Sequence, residues 1–210
     1  DHRPLTHQLS VLGVAGKTAY HGLVHCAGIA SGETLLVSAA AGSVGSLVGQ
    51  IGKIQGARVV GTAGGPEKVA LCRELGADVA IDYTSEDFQA VVLEATDARG
   101  VDVVFDGVGE AVMEKSMSCL AYNGRYLMMG FASDKRFVDE KLIVPRRISA
   151  GNFKLCGVLL SYANDAVRPM MKRATGWNFC SDALGREITA GIVDLVRAKK
   201  IAPVIGEVVG

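Results

Sequence analysis

The sequence predicts an α/β fold in which a doubly wound parallel sheet of six strands carries helices on both faces. Short buried-strand segments alternate with helical segments over residues 34–129, at intervals of about 20 to 25 residues that suit parallel β-α-β units. Several of these strand segments end in glycine-rich turns. The 210 residues are 49% hydrophobic and 21% charged, which is enough apolar material for the core of one such domain.

The elements up to residue 130 follow a regular order. A leading helix is predicted over residues 14–29, ended by Gly28. The first strand, residues 34–37, is apolar and leads through small residues into an amphipathic helix that Gly56 ends. Four further strands are predicted at residues 57–62, 78–83, 101–105 and 125–129, and the helices between them begin near Pro66, Ser85 and Ala111.

The pattern loosens beyond residue 131. Residues 133–152 are charged and predict a loop or a short helix, and the sixth strand is predicted from Phe153 to Leu160. Residues 164–182 are ambiguous because Pro169 and Gly176 interrupt them. An amphipathic helix over residues 184–199 and a terminal strand over residues 201–209 complete the expected order.

Charge and composition exclude several classes of function. The formal net charge is zero and no block of like charges occurs, so nucleic acid is not an expected partner. No apolar run reaches the roughly 18 to 20 residues of a membrane span. The five cysteines are far apart and form no Cys-x-x-Cys pair, which favours reduced thiols and a cytoplasmic location. His21 and His25 could share a helix face, but we expect ordinary helix histidines and no metal site.

A run of small residues follows the first strand and suits a phosphate-binding turn. It contains the fingerprint Ala40-x-Gly42-x-x-Gly45, with alanine at the usual first glycine. A bulky side chain at Gly42 would hold a pyrophosphate away from the N–H groups of the helix, and one at Gly45 would hold the helix off the strand. On its own, the motif fits a small-residue turn in any α/β protein equally well.

The other strand ends favour the dinucleotide interpretation. Small, glycine-rich segments also end the second, fourth and fifth predicted strands, at residues 61–65, 107–109 and 130–132. Ligands of open parallel sheets bind outside the carboxyl ends of the strands, near the point where the strand order reverses. The residues expected to contact the pyrophosphate are Ala41, Gly42, Ser43, Val44 and Gly45.

The second strand end favours NADPH over NADH. Thr62 and Gly64 lie where NAD sites usually carry an acid that binds the adenosine ribose. Lys68 follows on the next helix, and Tyr83 ends the third strand. A small uncharged pocket bordered by a lysine and a tyrosine suits a 2′-phosphate, although Lys68 alone could also be a solvated helix lysine. No catalytic side chain is predicted, because hydride transfer relies chiefly on the cofactor.

Residues 32–53, GETLLVSAAAGSVGSLVGQIGK, closely resemble the signature of the quinone oxidoreductases (zeta-crystallin-like) in the medium-chain dehydrogenase/reductase superfamily. Ser43 departs from the second glycine of the commonest form. The resemblance covers most of residues 11–160, including Gly-Lys-Thr-Ala-Tyr at 16–20, Ile-Asp-Tyr at 81–83 and Gly-Phe-Ala at 130–132. The signature positions matched are Gly32, Glu33, Leu36, Ala40, Ala41, Gly42, Gly45, Gln50 and Lys53.

This resemblance implies a domain organisation and further site residues. Residues 1–30 would form an opening segment with an interdomain helix, residues 31–160 a Rossmann-type NADP-binding domain, and residues 161–210 a return towards a GroES-like catalytic domain expected outside this chain. The zinc-independent branch is favoured, and the strand from Phe153 to Leu160 would pair two copies into a homodimer. The residues expected beside the nicotinamide and its ribose are Thr18, Val108, Gly130, Phe131 and Ala132.

The function implied is NADPH-dependent reduction of quinones or α,β-unsaturated carbonyl compounds by hydride transfer. Two alternatives remain: a nucleotide-binding or structural module without catalysis, and a zinc-type alcohol dehydrogenase. The sequence does not identify the substrate or the proton donor.

Overall fold

The computed structural model describes residues 10–130 and 145–205. Within them, six parallel strands form one sheet in the order β3-β2-β1-β4-β5-β6. This order confirms the predicted Rossmann-type, doubly wound arrangement, and the strand order reverses between β1 and β4. The strands are β1 Thr34–Val37, β2 Arg58–Ala63, β3 Val79–Asp82, β4 Val101–Asp106, β5 Leu120–Met128 and β6 Lys154–Gly157.

Helices cover both faces of this sheet, because the side chains of each strand alternate between two separate cores. Leu35 and Val37 of β1 belong to the core that α1, α2 and α8 cover, whereas Leu36 belongs to the core beneath α4 and α5. No helix in the described residues is both long and apolar enough to cross a lipid bilayer. The helices are α1 Val14–Tyr20, α2 Ser43–Ile54, α3 Pro66–Glu74, α4 Phe88–Ala95, α5 Glu110–Ser118, α6 Pro145–Gly151, α7 Arg168–Thr175 and α8 Asp182–Arg197, and a π-helical segment, His21–Ala27, continues α1.

The predicted terminal strand is wrong where the structure describes it. Residues 201–205 are not in a strand, and residues 206–209 lie outside the described residues. The segment is held instead by Gln50 of α2, whose Nε2 donates to the Ala202 carbonyl and whose Oε1 accepts from the Ala202 N–H, both at 2.8 Å. Ile201 is buried beside this contact. The apolar residues of the segment therefore pack on helices without forming a ladder.

Several element boundaries also differ from the predictions. The leading helix changes from α to π geometry at His21, although it does end at Gly28, which adopts the left-handed conformation. The helix expected from Ser85 starts at Phe88, because the Asp87 side chain accepts the Gln89 N–H and caps it. The sixth strand is shorter than Phe153 to Leu160, and the ambiguous residues 164–182 contain α7 and the start of α8.

An ion pair at the amino ends of β1 and β4 should make the fold sensitive to acid. Arg99 donates two hydrogen bonds to the Asp102 carboxylate, at 2.9 and 2.7 Å, and the Thr34 N–H donates another at 2.8 Å. Arg99 lowers the pKa of Asp102 from its ordinary value and partial burial only opposes this shift. Because the folded-state pKa is depressed, the stabilisation is complete above the unfolded-state pKa and is lost as the pH falls through the folded-state pKa.

We therefore expect Asp102→Asn to lower the free energy of unfolding by about 1 kcal/mol at pH 7. The deficit should shrink as the pH falls below about 4, where the wild-type carboxylate also becomes protonated. Urea unfolding of both proteins between pH 7 and pH 3 measures this, and Glu94→Gln at an exposed acid of α4 is the control. A deficit that stays constant over this range would contradict the assignment.

Candidate cofactor site

The turn after β1 lies at the point where the strand order reverses. The Ser38 N–H donates to the Phe105 carbonyl of β4 at 3.1 Å, and the Ala40 N–H donates to the Thr62 carbonyl of β2 at 2.9 Å. These bonds fix the turn to both neighbours of β1. The glycine fingerprint is therefore placed at the carboxyl edge of the sheet, where open α/β sheets bind ligands.

The close approach of α2 to this turn depends on Gly45. Ala39 adopts a left-handed φ of 52°, which is uncommon for a residue with a side chain, and its carbonyl accepts the Gly42 N–H at 2.9 Å. A β-carbon at Gly45 would lie 2.3 Å from that same carbonyl oxygen, whereas one at Gly42 would lie 3.1 Å from it. Gly45 is therefore the glycine that the packing requires, and Gly42 is the exposed one that a ligand could approach.

The N-terminus of α2 presents backbone donors to this surface. The helix begins at Ser43 after Gly42, and no side chain in the described residues caps it. The N–H groups of the first helical turn have no partner within the helix itself. Ser43 is exposed and Val44 is half-buried, so an anion has access to this turn. Together with the helix dipole, the turn suits a phosphate group.

The end of β2 lies beside the end of β3. Thr62 is buried, and a β-carbon at Gly64 would lie 2.8 Å from the Tyr83 hydroxyl, so Gly64 and this ring are in close contact. Tyr83 is 51% exposed. Lys68 is also exposed, on the first turns of α3 after Gly65. Gly64 and Tyr83 thus lie together at the carboxyl edge of the sheet, and Lys68 lies on the helix that follows β2.

Asp82 is a charged residue at this end that sequence reasoning missed. Its Oδ1 accepts the Gly65 N–H at 3.0 Å, the Thr84 N–H at 3.0 Å and the Thr84 hydroxyl at 2.6 Å. The Thr84 hydroxyl, followed by these two backbone groups, lowers the pKa of Asp82. The carboxylate therefore fixes the turn between β2 and α3 and adds a negative charge near Tyr83. Its position, paired with Ala63 across the sheet, could have been found only by aligning the two strands.

Asp106, at the end of β4, is a second missed residue. It is 1% exposed. Its carboxylate accepts the Val108 N–H at 2.8 Å, the Gly109 N–H at 3.2 Å and the hydroxyl of Tyr126. Burial raises the pKa of Tyr126 well above its usual value, and Asp106 adds to this effect. Asp106 thus fixes the turn that carries Val108.

The remaining predicted residues lie on different elements. A β-carbon at Gly130 would lie 3.0 Å from the Gly107 carbonyl, so the ends of β4 and β5 are in close contact. Thr18 is buried on α1, which packs against α2. Phe131 and Ala132 lie outside the described residues. The structure therefore brings Val108 and Gly130 to neighbouring strand ends. It places Thr18 on α1, which packs against α2, the helix that follows the turn after β1 (the glycine turn).

A wide cleft of about 590 Å³ lies elsewhere, between α1 and α8. Lys17, Arg186 and Arg197 line it together with Asp182 and Asp194. Its size does not identify the cofactor site, because the uncapped helix, the close glycine contact and the reversal of strand order all occur at the glycine turn.

A family model described as "Zinc-binding dehydrogenase" matches residues 43–176. The chain belongs to this zinc-binding dehydrogenase family. Despite the family's name, residues 10–130 and 145–205 contain no group of three or more histidine, cysteine, aspartate or glutamate side chains placed to hold a metal ion.

Individual relatives agree with the family and with the resemblance to quinone oxidoreductases. The chain is 43% identical over 133 residues to prostaglandin reductase 1 of Bos taurus, covering 63% of this chain and 40% of that protein. A quinone oxidoreductase structure from Pseudomonas syringae has a TM-score of 0.77 at 28% identity, over 96% of this chain and 56% of that one. CurA from Vibrio vulnificus, solved in complex with NADPH, has a TM-score of 0.72 at 29% identity, over 95% and 57%. The chain therefore spans about half the length of the relatives it matches.

Proposed function

We propose that the intact protein is an NADPH-dependent reductase of quinones or α,β-unsaturated carbonyl compounds, and that this chain supplies its cofactor-binding domain. The observation that carries the proposal is the glycine turn, where an uncapped helix N-terminus meets the carboxyl edge of the sheet at its reversal point. The similarity to an NADPH complex supports the choice of ligand. NADPH oxidation by the intact protein with a panel of quinones and enones tests it, and binding without oxidation would favour a non-catalytic module.

The residues at the turn fit a dinucleotide. Ala41, Gly42, Ser43, Val44 and Gly45 would hold the pyrophosphate on the first-turn N–H groups of α2, where a side chain at Gly42 would obstruct it. When bound, NADPH supplies the hydride that reduces an electrophilic carbon. The chain's own part is to bind and orient the cofactor.

The nicotinamide and its ribose would be bordered by Val108 and Gly130, which follow β4 and β5, together with Thr18. Phe131 and Ala132 would complete the site. This assignment rests on matched positions in the family and on the contact between the turns after β4 and β5. Asp106 would act as a positioning residue here, since its carboxylate fixes the turn that carries Val108.

We expect NADPH to bind at least tenfold more tightly than NADH, a difference of about 1.4 kcal/mol. Thr62 and Gly64 offer no carboxylate on β2 to bind a free ribose 2′-hydroxyl, while Lys68 and Tyr83 offer a cation and a hydroxyl to a 2′-phosphate. Lys68→Ala should remove most of this preference by weakening NADPH binding and leaving NADH binding nearly unchanged. Fluorescence titration of both nucleotides measures the two dissociation constants.

Lys200→Ala is the matched control for this prediction, because it removes one exposed lysine beyond α8. It should leave the NADPH preference intact. Equal affinities for the two nucleotides in the wild-type protein would contradict the assignment of Lys68 and Tyr83 to the 2′-phosphate.

The same proposal includes the domain organisation and a zinc-independent mechanism. Residues 31–160 would form the NADP-binding domain, between an opening segment at residues 1–30 and a return to a catalytic domain at residues 161–210. A zinc-type alcohol dehydrogenase is the rival, and metal analysis of the intact protein separates the two.

We also propose a homodimer and a cytoplasmic location. β6 ends the sheet on one side in the described residues and its middle residues are half-buried, so pairing with a second copy would cover an edge that otherwise favours aggregation. All five cysteines are free, which supports a reducing compartment.

A further inference from the structure

A cavity of about 530 Å³ lies at the carboxyl ends of β5 and β6. Its walls are largely apolar and include Met128, Met129, Leu159 and Trp177. Two groups capable of acid–base or nucleophilic chemistry also line it, the imidazole of His21 and the thiol of Cys180. The cavity therefore combines an apolar surface with a thiol and an imidazole.

The π-helical segment determines which groups meet His21. In an α-helix, a residue five positions on points about 140° away from the first. In π geometry the bonding runs from i to i+5, so such residues lie close together. Cys26 accordingly places its Sγ 3.5 Å from His21 Nε2. The change of helix type at His21 thus builds a thiol–imidazole contact that an α-helix would not make.

Cys180 approaches the same nitrogen from a distant part of the chain. Its Sγ lies 3.8 Å from His21 Nε2 and 3.6 Å from the Leu159 carbonyl. A β-bridge to Tyr162 fixes its backbone, with the Cys180 N–H donating to the Ser161 carbonyl at 2.7 Å and the Ala163 N–H donating to the Cys180 carbonyl at 3.1 Å. The backbone of Cys180 is therefore fixed in the wall of the cavity by these hydrogen bonds.

His21 is suited to act as a base at this position. The residue is 7% exposed, and burial, with His25 second, lowers its pKa, so the ring is neutral near pH 7. Its Nδ1 is buried and has no hydrogen-bond partner in the described residues. If Nε2 accepts from a thiol, Nδ1 carries the ring proton.

We propose that Cys180, with His21 as its base, is a site of covalent modification by small α,β-unsaturated carbonyl compounds that enter this cavity. The Cys180 thiol gives its proton to His21 Nε2 as Sγ bonds to the β-carbon of the ligand. The electron pair of the carbon–carbon double bond moves towards the carbonyl and forms an enolate. The enolate then takes a proton back from the imidazolium, so the addition needs no oxidant or reductant.

Cys26 is the natural comparison for Cys180, because both thiols contact the same imidazole nitrogen. Burial, followed by the neighbouring Cys156 and Cys180, raises the pKa of Cys26 to about 11, which keeps it protonated and poorly nucleophilic. Cys180, unlike Cys26, is among the residues that line the cavity. The two thiols thus share a base but differ in access.

The test is labelling of the intact protein with one equivalent of N-ethylmaleimide, followed by peptide mapping and mass spectrometry. We expect the first adduct on Cys180. Cys26→Ala, which puts no new hydrogen-bond donor beside Nε2, should leave the rate at Cys180 within about twofold, whereas His21→Phe should lower it at least tenfold, at the modest end of general-base contributions. This result does not depend on the proposed reductase activity, because no nucleotide is added.

Other outcomes would overturn the proposal. A first adduct on Cys26 or Cys156 in the wild-type protein would exclude Cys180 as the preferred nucleophile, whatever the variants do. An unchanged rate at Cys180 in His21→Phe would exclude the imidazole as its base. Because Phe could disturb a buried position, His21→Gln is measured in parallel, and it should be slowed to a similar extent while its circular dichroism spectrum stays native.

Discussion

Gly45→Ala is expected to lower the free energy of unfolding by about 3 kcal/mol and to abolish NADPH binding. The added β-carbon would lie 2.3 Å from the Ala39 carbonyl oxygen and 2.9 Å from its carbon, and both are backbone atoms that cannot rotate away. Either α2 moves off the sheet or the turn after β1 deforms. Both movements would displace the donors at the helix N-terminus. Urea unfolding and nucleotide titration measure the two effects.

Gly49→Ala, four residues further along α2, is the matched control. Its β-carbon would meet only a Val59 methyl group at 3.8 Å, an ordinary contact. Alanine is favoured over glycine within a helix by about 1 kcal/mol, so this variant should be slightly more stable than the wild type and should bind NADPH normally. If the two variants had the same unfolding free energy and the same affinity for NADPH, the close approach at Gly45 would not be required by the site.

Asp106→Ala should produce the second large effect, a loss of about 3 kcal/mol in unfolding free energy. The Val108 N–H, the Gly109 N–H and the Tyr126 hydroxyl would each lose this buried acceptor. Tyr126 is fully buried, so water cannot readily replace the carboxylate there. The turn that carries Val108 should loosen, and we expect weaker nucleotide binding together with lower stability.

Tyr126→Phe separates the parts of this network. It removes one donor and leaves the two backbone bonds to Asp106, so we expect a loss of about 1 kcal/mol and nearly normal nucleotide binding. If Tyr126→Phe cost as much as Asp106→Ala, the backbone contacts at Val108 and Gly109 would contribute little and the positioning role of Asp106 would be wrong.

Sequence reasoning located the glycine-rich ends of the strands because the signals for them are local. Strand periodicity, small residues after the strands and the spacing of Gly42 and Gly45 depend on neighbours along the chain. The same reasoning missed Asp82 and Asp106. Asp82 lies within one predicted strand and Asp106 directly follows another, and an acid is unremarkable at either position. The importance of each comes from the hydrogen bonds it accepts from turns at the carboxyl edge.

The strand predicted at the end of the chain and the α geometry predicted for the whole leading helix were wrong for related reasons. Residues 201–205 have the apolar character of a strand, but the amide of Gln50 pairs with Ala202, which is 152 residues away along the chain. The π geometry at His21 changes which carbonyl each N–H bonds to, and the helix propensities of the residues do not distinguish it from α geometry. Neither feature has a signature in local composition.

By itself, the sequence determined the doubly wound α/β class, the turn after β1 with its packed Gly45 and its exposed Gly42, and the family. Those properties follow from local periodicity and from the backbone freedom of small residues. Only the tertiary structure decided that Asp82 and Asp106 fix the turns at the carboxyl edge and that His21 meets both Cys26 and Cys180. The contacts of Gly65 with Asp82, of Tyr126 with Asp106 and of Cys180 with His21 join separate segments, so they depend on how the elements pack. The contact of Cys26 with His21 depends on the π geometry of the helix, which local composition does not reveal.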